Sequence, residues 1–139
     1  MSKSGRYSAD RKKVATLTDA ASRTGVIADC GTIFLATGAS GTTLYTLPTI
    51  AVAGKGWWAK FVKTGAAGAG GAINIQAHAD DGDTPIIGVI CEDVNTAVAH
   101  DDLTIIDGAD PGSQWELVCD GSQWIALGFS TTDSDIASS

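Results

Sequence analysis

The side chains most suited to chemistry gather in two acidic segments, each of which contains one of the chain's two histidines. His78 lies just before the run 80–83, and His100 directly precedes the pair 101–102. Imidazole and carboxylate groups are metal ligands, and a calcium site would take its oxygens from Asp80, Asp83, Asp101 and Asp102. Run 80–83 lacks the full ligand spacing of a calcium loop, and aspartate clusters are common in plain turns. We therefore expect solvated turns here, with a calcium site as the alternative, and we predict no bound metal.

The candidate nucleophiles do not stand in a catalytic pattern. Ser40 misses the G-x-S-x-G spacing by one residue, and no strand–elbow–helix pattern follows it. Cys91 is followed by Glu92 and Asp93, whose negative charges oppose formation of the thiolate. The glycine-rich stretch 65–71 has no Gly-Lys-Ser/Thr and no helical pattern behind it, which is unlike a phosphate-binding loop. The sequence thus predicts a protein that is not an enzyme and needs no cofactor.

Composition and charge describe one acidic globular domain with a basic beginning. The 139 residues suffice for a single domain, and 44% hydrophobic with 18% charged residues is outside the range of disordered chains. Of the formal charge of −7, residues 1–13 carry +4 and the remainder −11. Because such an acidic body repels phosphate backbones and anionic lipids, we expect neither nucleic acid nor membrane as a partner.

The chain shows no signal for export or membrane insertion. No run of eighteen apolar residues occurs, and polar residues follow the basic N-terminus where a signal peptide would be apolar. The three cysteines, Cys30, Cys91 and Cys119, are far apart and form no CxxC pair. We expect synthesis in the cytoplasm and buried free thiols, as is typical of a reducing compartment.

Short β-branched and aromatic runs, separated by glycine-rich or aspartate-rich breaks, predict about eight strands. They cover 32–36, 43–47, 57–63, 72–76, 85–91, 103–107, 115–119 and 123–129. Asp120-Gly121 between the last two is typical of a hairpin turn. The pattern predicts an all-β domain, an antiparallel β-sandwich, jelly roll or small barrel, over residues 14–129. An extended basic arm (1–13) and a disordered tail (130–139) flank it, and a short helix at 18–23 is the one helical alternative.

Two adjacent tryptophans in the third predicted strand are candidates for a subunit interface. Because side chains alternate along a strand, Trp57 and Trp58 must point to opposite faces. One can enter the core, while the other lies at the surface, where tryptophan is enriched in interface hot spots. The alternatives are a core with one ring partly exposed and a platform for stacking on sugar.

Five short motifs give the chain a resemblance to a known group of proteins. They are Thr-Leu-Thr-Asp at 16–19, Leu-Pro at 47–48, Gly-Lys-Gly-Trp-Trp at 54–58, Pro-Gly-Ser at 111–113 and Cys-Asp-Gly-Ser-Gln-Trp at 119–124. In this order they resemble small β domains of tailed-bacteriophage virions, which occur as capsid decoration (cement) proteins and in tail fibres or spikes. The resemblance implies a homotrimer that lies where capsomers meet and stabilises the shell.

The resemblance leaves head and tail open, and two features of the sequence favour the head. The chain has no long fibrous segment, and decoration proteins of several kinds order a terminal segment on the shell, which gives the basic arm a use. The expected capsid-binding residues are Lys3, Arg6, Tyr7, Arg11, Lys12 and Lys13. The expected partners are the major capsid protein and further copies of the chain, on the virion exterior. The other possible uses of the arm are as a solubilising tail or in contact with nucleic acid. For the whole protein, the alternative function is a receptor- or glycan-binding domain of a tail fibre.

Overall fold

The fold is a two-sheet β structure, seen in a computed structural model that describes residues 12–66, 71–90, 98–130 and 136–138. The strands in these ranges are β1 (Lys13–Leu17), β2 (Ser22–Thr24), β3 (Thr32–Ala36), β4 (Thr43–Thr46), β5 (Trp58–Lys63), β6 (Ile73–Gln76), β7 (Ile86–Ile90), β8 (Val98–His100), β9 (Asp102–Ile105), β10 (Gln114–Cys119), β11 (Trp124–Phe129) and β12 (Ile136–Ser138). One α-helix, α1 (Ile50–Ala53), and two 3-10 turns, Ile27–Asp29 and Ala79–Asp81, complete the described elements.

The chain crosses from one sheet to the other at nearly every step. A seven-stranded sheet has the order β1-β3-β5-β10-β11-β7-β8, and a five-stranded sheet has the order β12-β9-β6-β4-β2. Strands β1, β3 and β5 pair in parallel in the first sheet, as β2, β4 and β6 do in the second. Residues 13–76 therefore form three turns of a flattened coil, whose last strands pair with β10 and β9 in antiparallel fashion.

The mostly-β prediction is confirmed, and each of the eight predicted strands is present. Two details differ. The described residues contain four further strands, β1, β2, β8 and β12, and five of the ten strand pairings are parallel. A purely antiparallel sandwich or jelly roll does not fit this pairing. The reason is that apolar alternation indicates a strand but not its partner.

The ends of the predicted domain also differ from expectation. The helical alternative at 18–23 is absent, since a turn leads into the extended strand β2. Strand β1 begins inside the predicted arm, at Lys13, while residues 1–11 lie outside the described part. Within the predicted disordered tail, β12 pairs with β9, and its β-branched Ile136 lies opposite Ile105.

The predicted hairpin is confirmed between β10 and β11, where Cys119 pairs with Trp124. Gly121 has φ 99°, a left-handed conformation that glycine adopts without strain. The Asp120 carboxylate accepts hydrogen bonds from the backbone N–H groups of Ser122 and Gln123, at 2.8 and 2.9 Å. These bonds, together with one from the Ser122 hydroxyl, lower the pKa of Asp120.

One hydrophobic core lies between the sheets. The rings of Phe34, Tyr45 and Phe61 have centroids 4.8–5.2 Å apart and join the two sheets. Trp57 and Trp124 meet edge to face at 5.3 Å. Each buried aromatic ring removes about 150–250 Å² from water, so these contacts dominate the cohesion of the sandwich.

Two buried polar groups fix loops to this core. The Asp29 carboxylate accepts hydrogen bonds from Arg23 at 2.6 Å and from the Tyr45 hydroxyl at 2.9 Å, which ties the first 3-10 turn to β2 and β4. Lys63 is fully buried at the end of β5, where its amine donates to the carbonyls of Ile106 and Asp107. Buried charges require such partners, because an unpaired one would cost several kcal/mol.

Candidate functional site

The most unusual surface of the molecule is the outward side of the seven-stranded sheet. Strand register arranges its side chains in three rows. The first row is Trp58, Val118, Ile125 and Ile87; the second is Val14, Ile33, Lys60, Glu116 and Leu127; the third is Thr16, Leu35, Val62, Gln114 and Phe129. Ten of these fourteen side chains are apolar. We call these three rows the apolar face.

Several residues of the apolar face are open to solvent, although their size would favour burial. Ile125 is 42% exposed, Phe129 41%, and Val118 and Leu127 38% each, while Val14 at the edge reaches 55%. Most of their cross-strand neighbours are half-buried. A contiguous exposed patch of this kind is a mark of a binding surface.

The outward side of the five-stranded sheet provides the contrast. Its rows are Ser22, Leu44, Asn74 and Thr104, and Thr24, Thr46, Gln76 and Asp102. Leu44 is the one large apolar side chain among these eight. We call these two rows the polar face. Since an antiparallel or mixed sandwich normally alternates apolar inward and polar outward residues, the polar face follows the rule and the apolar face breaks it.

A single ion pair lies in the middle of the apolar face. The Nζ atom of Lys60 is 4.0 Å from Oε2 of Glu116, and the two residues are register partners on β5 and β10. Their side chains are 27% and 45% exposed, so the pair contributes little to stability in water. Because Lys60 and Glu116 are the two charged residues of the apolar face, this face carries no net charge.

The two predicted interface tryptophans have different positions. Trp57 is 2% exposed and belongs to the core, where it packs on Trp124. Trp58 is half-buried at one end of the first row, and its backbone carbonyl accepts a hydrogen bond from the N–H of Gly31 at 2.8 Å. Opposite placement of the two rings was predicted and is what the structure shows, which leaves Trp58 as the candidate for an interface.

The predicted capsid-binding residues are described only in part. Lys3, Arg6, Tyr7 and Arg11 lie outside the described residues. Lys12 and Lys13 are exposed at the beginning of β1, the edge strand of the sheet that carries the apolar face, and the Lys13 amine donates to the Ala28 carbonyl.

The acidic segments form turns in which the carboxylates bind backbone groups. Asp81 accepts from the N–H of Ile50 at 3.0 Å, and Asp101 accepts from the N–H of Thr84. His78 and Asp101 line an open cleft at one end of the five-stranded sheet. Burial and the charge of Asp101 raise the pKa of Asp102. Within the described ranges, no three His, Cys, Asp or Glu side chains converge as a metal site would require.

The cysteines divide into two environments. Cys119 is a free thiol in the core, as predicted, and burial raises its pKa. Cys30 is a free thiol but is exposed, so the prediction of burial is wrong there, because it lies in the turn after the first 3-10 element. Cys91 lies outside the described residues. Ser40, the other candidate nucleophile, is exposed in the loop after β3.

Apart from Trp58, the apolar face was not predicted from the sequence. A signal for it was present in the strands themselves. In β11 the inward residues are Trp124, Ala126 and Gly128, and the outward residues are Ile125, Leu127 and Phe129. A strand that is apolar at both alternating sets of positions is covered on both faces, by its own fold or by a partner.

Comparisons of the chain with protein-family models, with curated proteins and with solved structures found no match. Among the described residues, no helix is long and apolar enough to cross a membrane.

Proposed function

We propose that this protein is a structural component of a tailed-phage virion, a decoration protein that binds the outside of the capsid as a homotrimer and stabilises the shell. The observation that carries the proposal is the apolar face, since a wide exposed apolar sheet is suited to contacts between subunits, and the exposed lysines at its edge are suited to an acidic shell.

The mechanism needs no bond-making step. A rigid sandwich presents fixed surfaces, and each subunit bridges neighbouring capsid proteins. In a trimer, modest affinity for each contact multiplies because several shell subunits are engaged together. The energy that resists expansion of the shell is then distributed over many such bridges.

In this proposal the basic side chains of residues 1–13 bind an acidic region of the capsid. Lys12 and Lys13 are exposed at the beginning of β1, the edge strand of the seven-stranded sheet, and this supports a docking site on that side of the domain. Replacing Arg11, Lys12 and Lys13 with alanine is expected to weaken binding to purified shells by tenfold or more while leaving the thermal unfolding of the domain unchanged. Lys55→Ala, which removes an exposed lysine between α1 and β5, is the control. Undiminished binding of the triple variant at physiological salt would remove the arm from the proposal.

The direct test is the copy number in purified virions, measured by gel densitometry against the major capsid protein. A ratio near one to one, or a simple fraction such as one to three, supports a protein that coats the shell. A handful of copies per virion would indicate a tail protein. Absence of the protein from virions would refute the structural role.

The second candidate function is a receptor- or glycan-binding domain of a tail fibre, and the outward indole of Trp58 favours it. Trp57, Trp115 and Trp124 are buried, so Trp58 is the ring that a sugar could reach. This function predicts a glycan-dependent quench of tryptophan fluorescence that Trp58→Phe abolishes. Decoration predicts no such quench.

A further inference from the structure

We infer that the apolar face is the contact through which copies of this chain associate, centred on the row of Trp58, Val118 and Ile125. The inference deepens the proposed function, because it assigns the copy-to-copy contact of the homotrimer to one surface. It does not depend on what the assembled protein then binds.

The dimensions of the apolar face are those of an interface core. Neighbouring strands lie about 4.8 Å apart and outward residues about 6.7 Å apart along a strand, so the fourteen positions of the three rows cover roughly 450 Å². Each partner in a stable protein complex buries about 800 Å², with an apolar centre and a polar rim. The apolar face supplies that centre, and the charged and polar ends of the same strands supply the rim.

The charge distribution favours a second copy as the occupant. Two molecules that each carry a net charge of −7 repel one another over most of their surfaces. The apolar face holds one cation and one anion, Lys60 and Glu116, and is the neutral surface through which two such molecules can approach. Around a three-fold axis, Lys60 of each copy can face Glu116 of the next, so that the ion pairs continue from copy to copy and are not a barrier to association.

The contrast between the two sheets supports the same occupant. The polar face shows that the chain can form a sheet with a solvated outer side. On β11, every outward residue is instead large and apolar. Burying Ile125, Leu127 and Phe129 against another copy would remove from water the roughly two-fifths of each residue that is exposed in the single chain.

The test is the oligomeric state of the full chain in solution, measured by sedimentation equilibrium from 1 to 100 µM. Two variants, Val118→Lys and Ile125→Lys, each place an ammonium group in the middle of the apolar face. Their native side chains are already 38% and 42% exposed, so the isolated sandwich tolerates the change. We expect each variant to weaken association at least 100-fold.

The matched controls add the same charge elsewhere. Val52→Lys replaces an apolar residue of α1 that is 54% exposed, and Gln76→Lys alters the polar face. Both should associate as the wild type does, and circular dichroism with thermal unfolding should show all four variants folded.

Two results would overturn the inference: a wild-type chain that remains monomeric at 100 µM, or Val118→Lys and Ile125→Lys variants that assemble normally. Either result would leave the decoration function standing if the protein is present in virions at stoichiometric copy number. Conversely, Val118→Lys and Ile125→Lys variants that fail to associate would support the inference. If purified virions also lack the protein, the decoration function is refuted.

Discussion

The buried hydrogen bond between Tyr45 and Asp29 predicts how the stability of the protein depends on alkaline pH. The Tyr45 side chain is fully buried, and its hydroxyl donates to Oδ2 of Asp29 at 2.9 Å. Burial, and then the hydrogen bond and charge of Asp29, raise the pKa of Tyr45 far above its ordinary value of 10.0. The folded protein therefore keeps the phenolic proton at a pH where the unfolded chain has lost it.

The free energy of unfolding depends on pH because the pKa of Tyr45 differs between the folded and the unfolded protein. Below pH 10 both states are protonated, and the contribution of the hydroxyl is fully present. Above pH 10 the unfolded state loses its proton first, so the free energy of unfolding falls by about 1.4 kcal/mol per pH unit. At pH 11.5 the loss from this one residue amounts to about 2 kcal/mol.

Tyr45→Phe isolates the effect, since it keeps the ring that packs on Phe34 and Phe61 and removes only the hydroxyl. At pH 8 the variant should be less stable by about 1.5–3 kcal/mol, the value of a hydrogen bond to a charged group. At pH 11.5 most of this difference should vanish, because only the unfolded wild type is stabilised by losing the phenolic proton.

The assay is urea unfolding followed by tryptophan fluorescence, at pH 8 and pH 11.5, in the Ile125→Lys background so that association does not contribute. Titration of the lysines affects both proteins alike and cancels in their difference. A stability difference between wild type and Tyr45→Phe that is equal at the two pH values, or larger at pH 11.5, would refute this account of Tyr45.

Two further predictions concern the backbone and the thiols. Gly38→Ala should destabilise the protein by at least about 2 kcal/mol, because φ at Gly38 is +60° and the new Cβ would lie 2.6 Å from the Gly71 carbonyl oxygen. Gly56→Ala is the comparison: φ is +92° there, but the new Cβ would meet open space, so we expect a cost of about 1 kcal/mol. The midpoints of urea unfolding of the two variants measure these losses of stability. Equal losses would contradict the close approach of Gly38 to Gly71. In a Cys91→Ser variant, a thiol reagent should label Cys30 at once and Cys119 only after unfolding. Rapid labelling of two thiols in the native protein would show that the core is open at Cys119.

Eight of the described strands could be predicted from the sequence because each of these has a local pattern. In β5 the half-buried Trp58, Lys60 and Val62 alternate with buried residues, and the turn at Asp120-Gly121 identifies the hairpin. The pairing of the strands could not be predicted. The partners of β3 lie at 13–17 and 58–63, and nothing in the five residues of β3 specifies them. Short strands such as β2 have too few residues to show any period.

The candidate site was predicted only at Trp58, and the reason is physical. Alternation identifies an outer face when its residues are polar. In β11 both sets of positions are apolar, so the sequence indicates a strand covered on both sides but not what covers the second side. The basic residues at 12 and 13 were visible from charge alone, whereas their place at the sheet edge came from the pairing of β1.

The alternation of the chain between its two sheets has a consequence during synthesis. The three-turn coil is complete at Gln76, but the open edges of β5 and β6 are covered only when β10 and β9 have been made, roughly 40 residues later. At about 5–20 residues per second, a nascent chain exposes two unpaired parallel edges for roughly 2 to 8 s. Neighbouring chains on one messenger can pair through those edges in that interval. A chain truncated after β6 keeps both edges unpaired, and we expect it to aggregate rather than remain soluble.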